Sequence, residues 1–410
     1  MTDYFQNKFR TGGALALLVL CMILMLSACG KTNAPEAASA PASVQESAES
    51  TPEPADDAAP SEAPAFDGLS YESTLELQYA TGFSVWHYAG GYAFIDIPQS
   101  GKYLVIPENG TVPSGVDGDI VVLQKPLDRI YLAATSAYSL FDAVDAADSI
   151  RMTGTQASGW FIDSMVERMN DGRILFGGRY SEPDYETLID EDCCLAVEST
   201  MIYHTPKIKE MLEDLGIPVL VDRSSYEEHP LGRTEWVKLY AVLTDREAEA
   251  EAFFDEQAQI IRELKDFENT GKTVAYFSVN TDGSIVIRQP SDYIPTMIDI
   301  AGGVYAFEDL PADEDGTSLT ISMEEFYATA VDADYLIYNA SIESVLGSVD
   351  ELIAKDDLFA NFKAVQNGNV WTTGKSFYQQ TDIVGQMIRD MNLMLTDADG
   401  EGMTFLTKVN

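Results

Sequence analysis

The chain has 410 residues and carries 67 acidic against 25 basic side chains, a formal net charge of −42 at pH 7. This acidity argues against nucleic acid and other anionic polymers as partners, because like charges repel. The length is sufficient for two lobes with hydrophobic cores of their own, and apolar residues make up 46% of the sequence.

The first 28 residues have the features of an export signal. Lys8 and Arg10 precede an apolar run, Ala14–Leu26, which is too short to span a bilayer comfortably. The run ends in a Leu-Ser-Ala-Cys sequence, which matches the lipobox of bacterial lipoproteins. The sequence therefore predicts a signal peptide at 1–28 and acylation of Cys29, with fatty acids such as palmitate. The acyl groups would anchor the chain to the membrane without spanning it. An uncleaved N-terminal anchor is the alternative.

Two further segments precede the main body. Residues 29–65 are almost entirely Ala, Pro, Ser, Glu, Asp and Thr, a composition typical of a disordered tether. Residues 66–126 show short apolar or alternating runs separated by Gly and Asn-Gly, typical of strands and tight turns. We expect a small antiparallel β extension there, with these strands: Leu75–Tyr79, Phe83–Tyr88, Tyr92–Ile97, Tyr103–Ile106 and Ile120–Leu123.

Residues 127–243 alternate apolar strand-like runs with helical patterns, which predicts a parallel sheet covered by helices. Cys193 and Cys194 are neighbours in sequence, so a disulfide between them is disfavoured. The predicted strands and helices of this N-terminal lobe are Leu127–Leu132, Tyr138–Ala147, Arg151–Thr153, Phe161–Asn170, Cys194–Glu198, Thr205–Leu215 and Gly216–Val221.

A long amphipathic helix is predicted over Thr244–Phe267. Thr244 with Glu247 three residues later has the pattern of an N-terminal capping box. At ~1.5 Å per residue the helix would be roughly 36 Å long. It would join the N-terminal lobe to a C-terminal α/β lobe at 269–410, although a long helix within one large domain is the alternative. The elements predicted in the second lobe are Lys272–Val279, Met297–Ala301, Met323–Val331, Tyr335–Tyr338, Asn369–Trp371 and Thr381–Leu395.

This order of features resembles the class III substrate-binding proteins of ABC importers, which bind ferric siderophores, haem and cobalamin. The features that carry the resemblance are Arg-Ile-Tyr-Leu-Ala-Ala-Thr-Ser-Ala at 129–137, Gly-Ile-Pro-Val-Leu-Val at 216–221, the long helix, Ala-Gly-Gly at 301–303 and Val-Gln-Asn-Gly-Asn-Val-Trp at 365–371. The resemblance implies two α/β lobes with central sheets, joined by one long helix and binding ligand in the cleft between them. It covers 127–396 together with the leader.

The resemblance also implies partners. Members of this family are not enzymes and carry no cofactor, and they work with the permease and ATPase subunits of an ABC importer. One Glu on each lobe docks on the permease; the matching positions are Glu186 and Glu324, with Glu325 the near alternative. The chain is therefore expected to be a monomeric, lipid-anchored protein on the extracytoplasmic face of the cell membrane. Its expected ligand is an iron–siderophore complex, with a corrinoid or haem as the alternative.

Aromatic and Arg side chains in loops at strand ends are the natural candidates for holding a bulky ligand. Arg residues would attract an anionic iron complex. For Arg233 and Trp236, capping and packing of the long helix is an equal alternative, and for any single aromatic residue core packing is favoured. The predicted ligand-binding residues are Tyr138, Trp160, Arg179, Tyr203, His204, Arg233, Trp236, Arg288, Tyr293 and Tyr378.

Other functions are less well supported by the sequence. A bare metal site needs three or four His or carboxylate ligands, whereas only His204 and His229 lie in the lobes. The chain has no Gly-X-Ser-X-Gly, His-Glu-X-X-His or Gly-rich phosphate motif. A carboxylate-based envelope enzyme and a lipoprotein adhesin remain alternatives.

Overall fold

The computed structural model describes residues 62–264, 267–311, 316–341, 344–396 and 402–410. The predicted signal peptide, Cys29 and nearly all of the predicted tether lie outside these residues. Within them, no helix is both long enough and apolar enough to cross a bilayer.

The N-terminal extension forms a sheet in the order β1-β2-β3-β4-β5. The prediction of a wholly antiparallel unit is wrong, because β5 pairs with β4 in parallel. The connection at 107–119 is long enough to return the chain to the same end of the sheet. A strand at Leu75–Tyr79 is also wrong, since the Gln78 and Tyr79 amides donate to the Glu235 carboxylate instead. The strands are β1 (Tyr71–Thr74), β2 (Ser84–Tyr88), β3 (Tyr92–Ile97), β4 (Gly101–Ile106) and β5 (Ile120–Gln124).

The first lobe has the predicted parallel sheet, in the order β12-β11-β6-β7-β8. Each predicted strand and helix of this lobe exists, with ends shifted by a few residues. Its elements are β6 (Ile130–Leu132), α1 (Tyr138–Ala143), β7 (Ile150–Thr153), α2 (Asp163–Asn170), β8 (Leu175–Phe176), β9 (Gly178–Arg179), β10 (Glu182–Pro183), α3 (Tyr185–Asp190), β11 (Leu195–Ser199), α4 (Pro206–Asp214) and β12 (Val219–Asp222).

The region between the lobes is more helical than predicted, with α5 (Pro230–Glu235) and α6 (Val237–Thr244) before α7 (Glu247–Leu264). The capping box at Thr244 is wrong. Thr244 ends α6, and its hydroxyl donates to the Tyr240 carbonyl oxygen at 2.9 Å, a common bond for Thr inside a helix. Asp245, in the left-handed region at φ 58°, separates the two helices. The 18 residues of α7 span roughly 27 Å.

The second lobe has a mixed sheet in the order β16-β14-β13-β17-β18-β19, with β15 also paired to β13. Strands β13, β17 and β18 are parallel as predicted. The antiparallel strands β14, β16 and β19 were not predicted. The elements are β13 (Thr273–Val279), β14 (Ile285–Arg288), α8 (Tyr293–Ile300), β15 (Val304–Tyr305), β16 (Ser318–Ile321), α9 (Met323–Ala330), β17 (Tyr335–Tyr338), α10 (Val349–Ile353), α11 (Lys363–Gln366), β18 (Val370–Thr373), α12 (Val384–Leu395) and β19 (Leu406–Lys408).

One continuous hydrophobic core runs through the extension, the lobes and the helices between them. Ile95 of the extension, Leu132 of the first lobe, Tyr240 of α6, Phe254 of α7 and Phe277 of the second lobe all belong to it. The extension is therefore packed onto the main body through buried apolar surface, the main source of folding free energy. The predicted domain boundaries remain predictions.

Candidate ligand-binding cleft

The carboxyl edges of the two lobe sheets face each other across a short contact. The loop after β7 contains Gly159 and Phe161, and the loop after β18 contains Lys375 and Gln379. The Gln379 side chain accepts a hydrogen bond from the Phe161 amide at 2.9 Å and donates one to the Gly159 carbonyl oxygen at 2.9 Å. The Lys375 ammonium lies 5.3 Å from the centre of the Phe161 ring. We call these contacts the latch; they join the two lobes at their carboxyl edges.

A second group of polar contacts joins the lobes beside the latch. Ser139 Oγ, in α1, accepts from the backbone amides of Thr381 and Asp382 at 3.1 and 3.3 Å. Thr234 Oγ1, in α5, donates to the Thr381 carbonyl oxygen at 2.8 Å. Burial raises the pKa of Asp382 to about 6, and the nearby charge of Asp142 acts in the same direction. These contacts join hydroxyl groups to the backbone. The Asp382 carboxyl group beside them takes up a proton at a higher pH than an ordinary Asp does.

Tyr138 and Trp160 lie behind the latch, inside the first lobe. Their rings pack edge to face with centres 5.5 Å apart. The Tyr138 hydroxyl is 3.0 Å from Ser164 Oγ, and the Trp160 indole N–H donates to the Thr155 carbonyl oxygen at 3.2 Å. Both rings are buried, and burial raises the pKa of Tyr138 to about 12. They support the loop that ends at the exposed Phe161, which the sequence analysis did not select.

Arg233, Arg288 and Tyr293 are brought together with two buried carboxyl groups. The Arg233 guanidinium carbon lies 3.8 Å from the centre of the Tyr293 ring, and Arg288 Nη1 lies 3.8 Å from Asp292 Oδ2. Burial raises the pKa of Asp292 and of Asp222, while the charge of Arg233 lowers both.

This charged group is deeply buried. Arg233 is only 6% exposed, and its Nε has no hydrogen-bond partner. Such a group is stable only while the charges remain balanced. The prediction that Arg233 and Arg288 bind a ligand anion stays a prediction.

Trp236 does not lie in a loop, and its predicted position beside the cleft is wrong. It sits between α5 and α6 and is fully buried. Its ring centre is 5.0 Å from that of Phe83, and its indole N–H donates to Glu227 Oε1 at 2.9 Å. The sequence Pro-Leu-Gly-Arg-Thr-Glu at 230–235 looked like a loop, yet Pro at the first position starts a helix readily.

The remaining candidates are dispersed along the carboxyl edges. Tyr378 is half-buried beside the latch, and its hydroxyl accepts from Gln379 Nε2 at 3.2 Å. Arg179 is exposed in β9, near the end of β8. Tyr203 and His204 are exposed after β11, on the side of the sheet that contacts the extension. The structure thus brings only part of the predicted set together.

His229 is held structurally, away from the latch. Its Nδ1 accepts from the Leu231 amide at 3.1 Å, and its ring stacks on Tyr79 with centres 4.3 Å apart. Burial lowers its pKa, which favours the neutral ring. Tyr79 and His229 line a groove of about 510 Å³ that continues along the end of α7 to Asn269.

The two predicted docking residues occupy equivalent positions in the lobes. Glu186 and Glu324 are both exposed in the first turn of a helix, α3 and α9 respectively. Each helix leads the chain to the amino end of a central parallel strand, so each Glu lies towards the carboxyl edge of its sheet. Glu325, the near alternative, accepts hydrogen bonds from Ser322 in a capping box, and these bonds lower its pKa.

The described residues contain no group of three or more His, Cys, Asp or Glu side chains that could hold a metal ion. Cys193 and Cys194 are free thiols. The sequence analysis missed Gln379, Ser139, Glu227 and Glu235, which make the main polar contacts between segments. No pattern in the sequence distinguishes a buried Glu among 67 acidic residues.

Several known proteins are similar to this chain in sequence or in fold. An uncharacterized lipoprotein of Methanocaldococcus jannaschii is 25% identical over 311 residues, covering 72% of this chain and 71% of the relative. A second uncharacterized lipoprotein of that organism is 22% identical, covering 76% of this chain and 81% of its own length.

Solved structures with a similar fold include a periplasmic haem-binding protein of Vibrio cholerae, at a TM-score of 0.52 and 17% identity, covering 64% of this chain and 98% of its own. The petrobactin-binding protein of Bacillus subtilis matches with a TM-score of 0.52 and 17% identity, covering 65% of this chain and 92% of its own.

The family model described as periplasmic binding protein matches residues 145–377, more than half of the chain. The match starts after the extension and includes α7 and both predicted docking residues. It agrees with the two lobes, the inter-lobe helix and the class III resemblance in the sequence. The chain belongs to the periplasmic binding protein family, whose members bind solutes.

Proposed function

We propose that this chain is the extracytoplasmic substrate-binding protein of an ABC importer, and that it captures a ferric siderophore in the inter-lobe cleft. The observation that carries the proposal is the pair of facing carboxyl edges at the latch, in a chain of the periplasmic binding protein family. Open α/β sheets bind ligands at this edge. The arginines near the cleft supply positive charge for an anionic iron complex in an otherwise acidic protein.

Anchoring follows from the N-terminal sequence. Acylation of Cys29 would hold the chain at the membrane, and the segment 30–61 would give the lobes reach. The lipoprotein designation of the two archaeal relatives supports this part of the proposal.

Delivery to the permease would use Glu186 and Glu324. Two exposed carboxylates, one on each lobe, would meet basic pockets and fix the orientation of the complex as well as strengthen it. Glu325 is held by Ser322 in a capping box. Of the two neighbouring candidates, Glu324 is therefore the carboxylate that is free to reach a partner.

The docking assignment is tested by replacing Glu186 and Glu324 with Gln together and measuring uptake of a radiolabelled iron complex in cells that express the cognate importer. We expect uptake to be lost while the affinity of the purified protein for the complex stays unchanged. Glu210 and Glu256, exposed on α4 and α7, provide a matched double variant that should transport normally. Normal uptake by the Glu186/Glu324 variant would rule out the assignment.

Haem or a corrinoid is the alternative ligand. The similarity in fold to the haem-binding protein of Vibrio cholerae favours haem as much as the similarity to the petrobactin-binding protein favours a siderophore. Parallel titrations with the three ligand classes separate these alternatives.

A further inference from the structure

The carboxyl edge of the first lobe bears a patch of exposed, largely apolar side chains. Met201 and Tyr203 follow β11, and Tyr226 follows β12; they are 45%, 41% and 44% exposed. A 3.4 Å contact between Tyr226 Oη and Thr200 Oγ1 joins the two loops. Large apolar side chains grouped in this way are a feature of binding surfaces. We call this group the aromatic platform.

Arg223 lies at the platform, immediately after β12. Its guanidinium carbon is 4.7 Å from the centre of the Tyr226 ring, and the side chain is half-buried. Within the described part of the chain, no carboxylate lies in salt-bridge distance of it. Three other arginines of this lobe do have such partners: Arg151 pairs with Glu191, Arg168 with Asp148 and Arg173 with Asp171. Among the described residues, Arg129 and Arg179 also have no carboxylate in salt-bridge distance, but neither of them lines the pocket beside Tyr226.

The lack of a carboxylate partner matters at Arg223 because this side chain also lines a pocket and stacks on Tyr226. The adjacent Asp222 accepts hydrogen bonds from Ser224 and Tyr240. The Glu227 oxygens accept from the Thr81 and Gly82 amides and from Trp236 Nε1. Arg223 therefore stacks on Tyr226 and keeps its donors available. A planar guanidinium in this arrangement suits a carboxylate, which it can bind through two parallel hydrogen bonds.

A small pocket next to Arg223 is closed by the N-terminal extension. Gly82, Pro98 and Gln99 of the extension face Arg223, Tyr226 and Glu227 across about 160 Å³. At about 30 Å³ per water molecule the space holds roughly five waters. It is too small for a whole siderophore or macrocycle and suits one acidic arm of such a ligand.

The extension wall is fixed in place before any ligand arrives. The Tyr203 hydroxyl donates to the Gln99 carbonyl oxygen at 3.1 Å and lies 3.0 Å from Ser100 Oγ. The Tyr103 hydroxyl, buried in the extension, donates to the Val219 carbonyl oxygen of β12 at 3.1 Å. Such preorganisation lowers the ordering cost of binding.

We infer that the extension and the first lobe together form a carboxylate-accepting subsite, in which Arg223 binds an acidic arm of the ligand and Tyr226 and Tyr203 contact its body. The ligand class is therefore an iron complex or metallated macrocycle with at least one free carboxylate. This inference rests on the proposed function and narrows it.

The test uses the full chain in detergent micelles and follows its Trp and Tyr fluorescence. Haemin and ferric citrate are the carboxylate-bearing probes, and ferrichrome and cyanocobalamin are the probes without a free carboxylate. We expect Arg223→Gln to weaken binding of a carboxylate-bearing probe at least 10-fold, because a charged bidentate contact is lost. Arg173→Gln, which removes an exposed arginine of the same lobe, should leave that affinity unchanged.

A second variant tests the wall itself. Tyr203→Phe removes the hydroxyl that ties the Gln99–Ser100 loop to the first lobe, and we expect roughly 3-fold weaker binding of the same probe. Thermal melting followed by circular dichroism verifies that each variant is folded. Unchanged affinity in Tyr203→Phe would overturn the role of the extension.

The outcomes separate the inference from the proposed function. Equal affinity of Arg223→Gln and the unmodified chain for haemin and ferric citrate would overturn the inference. Binding of ferrichrome or cyanocobalamin alone would also overturn it, while leaving the importer function intact. Failure of the unmodified chain to bind any of the four probes would overturn both.

Discussion

Thr234 and Glu235 are neighbours in α5, but they contact different parts of the molecule. Glu235 accepts hydrogen bonds through a carboxylate, whereas Thr234 donates a neutral one. On one side Glu235 holds the segment Gln78–Gly82 of the extension, which we call the strap. On the other side Thr234 contacts the second lobe at Thr381 through a single neutral hydrogen bond of 2.8 Å. The strap is bound by two carboxylates, whereas the hydrogen bonds of the latch join neutral groups and Lys375 adds a cation–π contact with Phe161.

The strap contacts are numerous, and their two carboxylates are buried. Five consecutive backbone amides, from Gln78 to Gly82, donate to the carboxylates of Glu235 and Glu227 at 2.8 to 3.0 Å. Glu235 is fully buried and also pairs with Lys238 Nζ at 3.2 Å. Charge-assisted hydrogen bonds are roughly twice as strong as neutral ones. The extension and α5 should therefore behave as one rigid unit, while the lobes can separate at the latch at a small cost.

The largest effect is expected at Glu235. Replacing it with Ala leaves three strap amides without their acceptor and breaks the buried pair with Lys238, which keeps only the more exposed Glu251 as a carboxylate partner. We expect a loss of about 3–5 kcal/mol in the free energy of unfolding, the range for breaking a buried ion pair. Urea unfolding of the purified chain measures it.

The control for this variant is Glu249→Ala on α7, which removes an exposed i, i+3 pair with Arg246. Such a pair contributes at most about 0.5 kcal/mol. A loss below about 1 kcal/mol for Glu235→Ala would show that the strap does not depend on charge.

A substitution in the strap itself should have an intermediate effect. A Cβ added at Gly82 would lie 2.8 Å from Glu227 Oε1 and 3.1 Å from Trp236 Cζ2, so the carboxylate must move. We expect Gly82→Ala to cost about 1–3 kcal/mol, the cost of leaving buried donors unpaired. Gly118→Ala is the control, because a Cβ there meets no atom within 4 Å. Equal unfolding curves for the two variants would contradict the account.

The latch should show the opposite behaviour. Gln379→Ala removes the bonds to Phe161 and Gly159, and we expect a loss of about 2 kcal/mol, about 1 kcal/mol for each neutral hydrogen bond. The Phe161 amide, which donates to Gln379, should exchange its hydrogen faster in this variant. Gln366→Ala, at an exposed position in α11, should change neither quantity. Global destabilisation comparable with that of Glu235→Ala would remove the distinction between strap and latch.

A further effect depends on pH. Burial raises the pKa of Asp382 to about 6, above the value of an unfolded Asp near 3.9. The folded state therefore holds this proton more tightly, and stability falls as the pH rises from about 4 to 6. Asp382→Asn should be more stable than the unmodified chain at pH 7 and no more stable near pH 4. Parallel thermal melts at both pH values measure the difference, and an equal difference at both would be inconsistent with titration of Asp382.

Periodicity in the sequence was sufficient to locate the lobes. Strand β17 matches its predicted limits, and the parallel strands of both lobes were recognised because buried runs such as Gly216–Val221 are continuous and apolar. The family match confirms the fold class that the class III resemblance implied. The antiparallel strands β14 and β16 were missed because each has only four residues, although β14 forms a hairpin with the preceding strand β13.

The candidate site was harder to predict, because burial and pairing decide which side chain is available. Trp160 and Trp236 were both selected as aromatic residues in loops, yet both are buried members of the hydrophobic core. Arg223 was not selected, because its importance depends on lacking a carboxylate partner, a property of the folded chain. Gln379 contacts residues more than 200 positions away, and local sequence carries no signal of such a contact.

The central claim is that the cleft binds an iron complex. Intrinsic fluorescence of the full chain, titrated in parallel with ferric siderophores, haemin and cobalamin, tests it most directly, because Trp160 lies directly behind the latch. We predict saturable quenching by a ferric siderophore with micromolar or tighter affinity, absent in a titration of empty micelles. Saturable quenching by haemin or cobalamin alone would change the ligand, and no response to any of the three would contradict the claim.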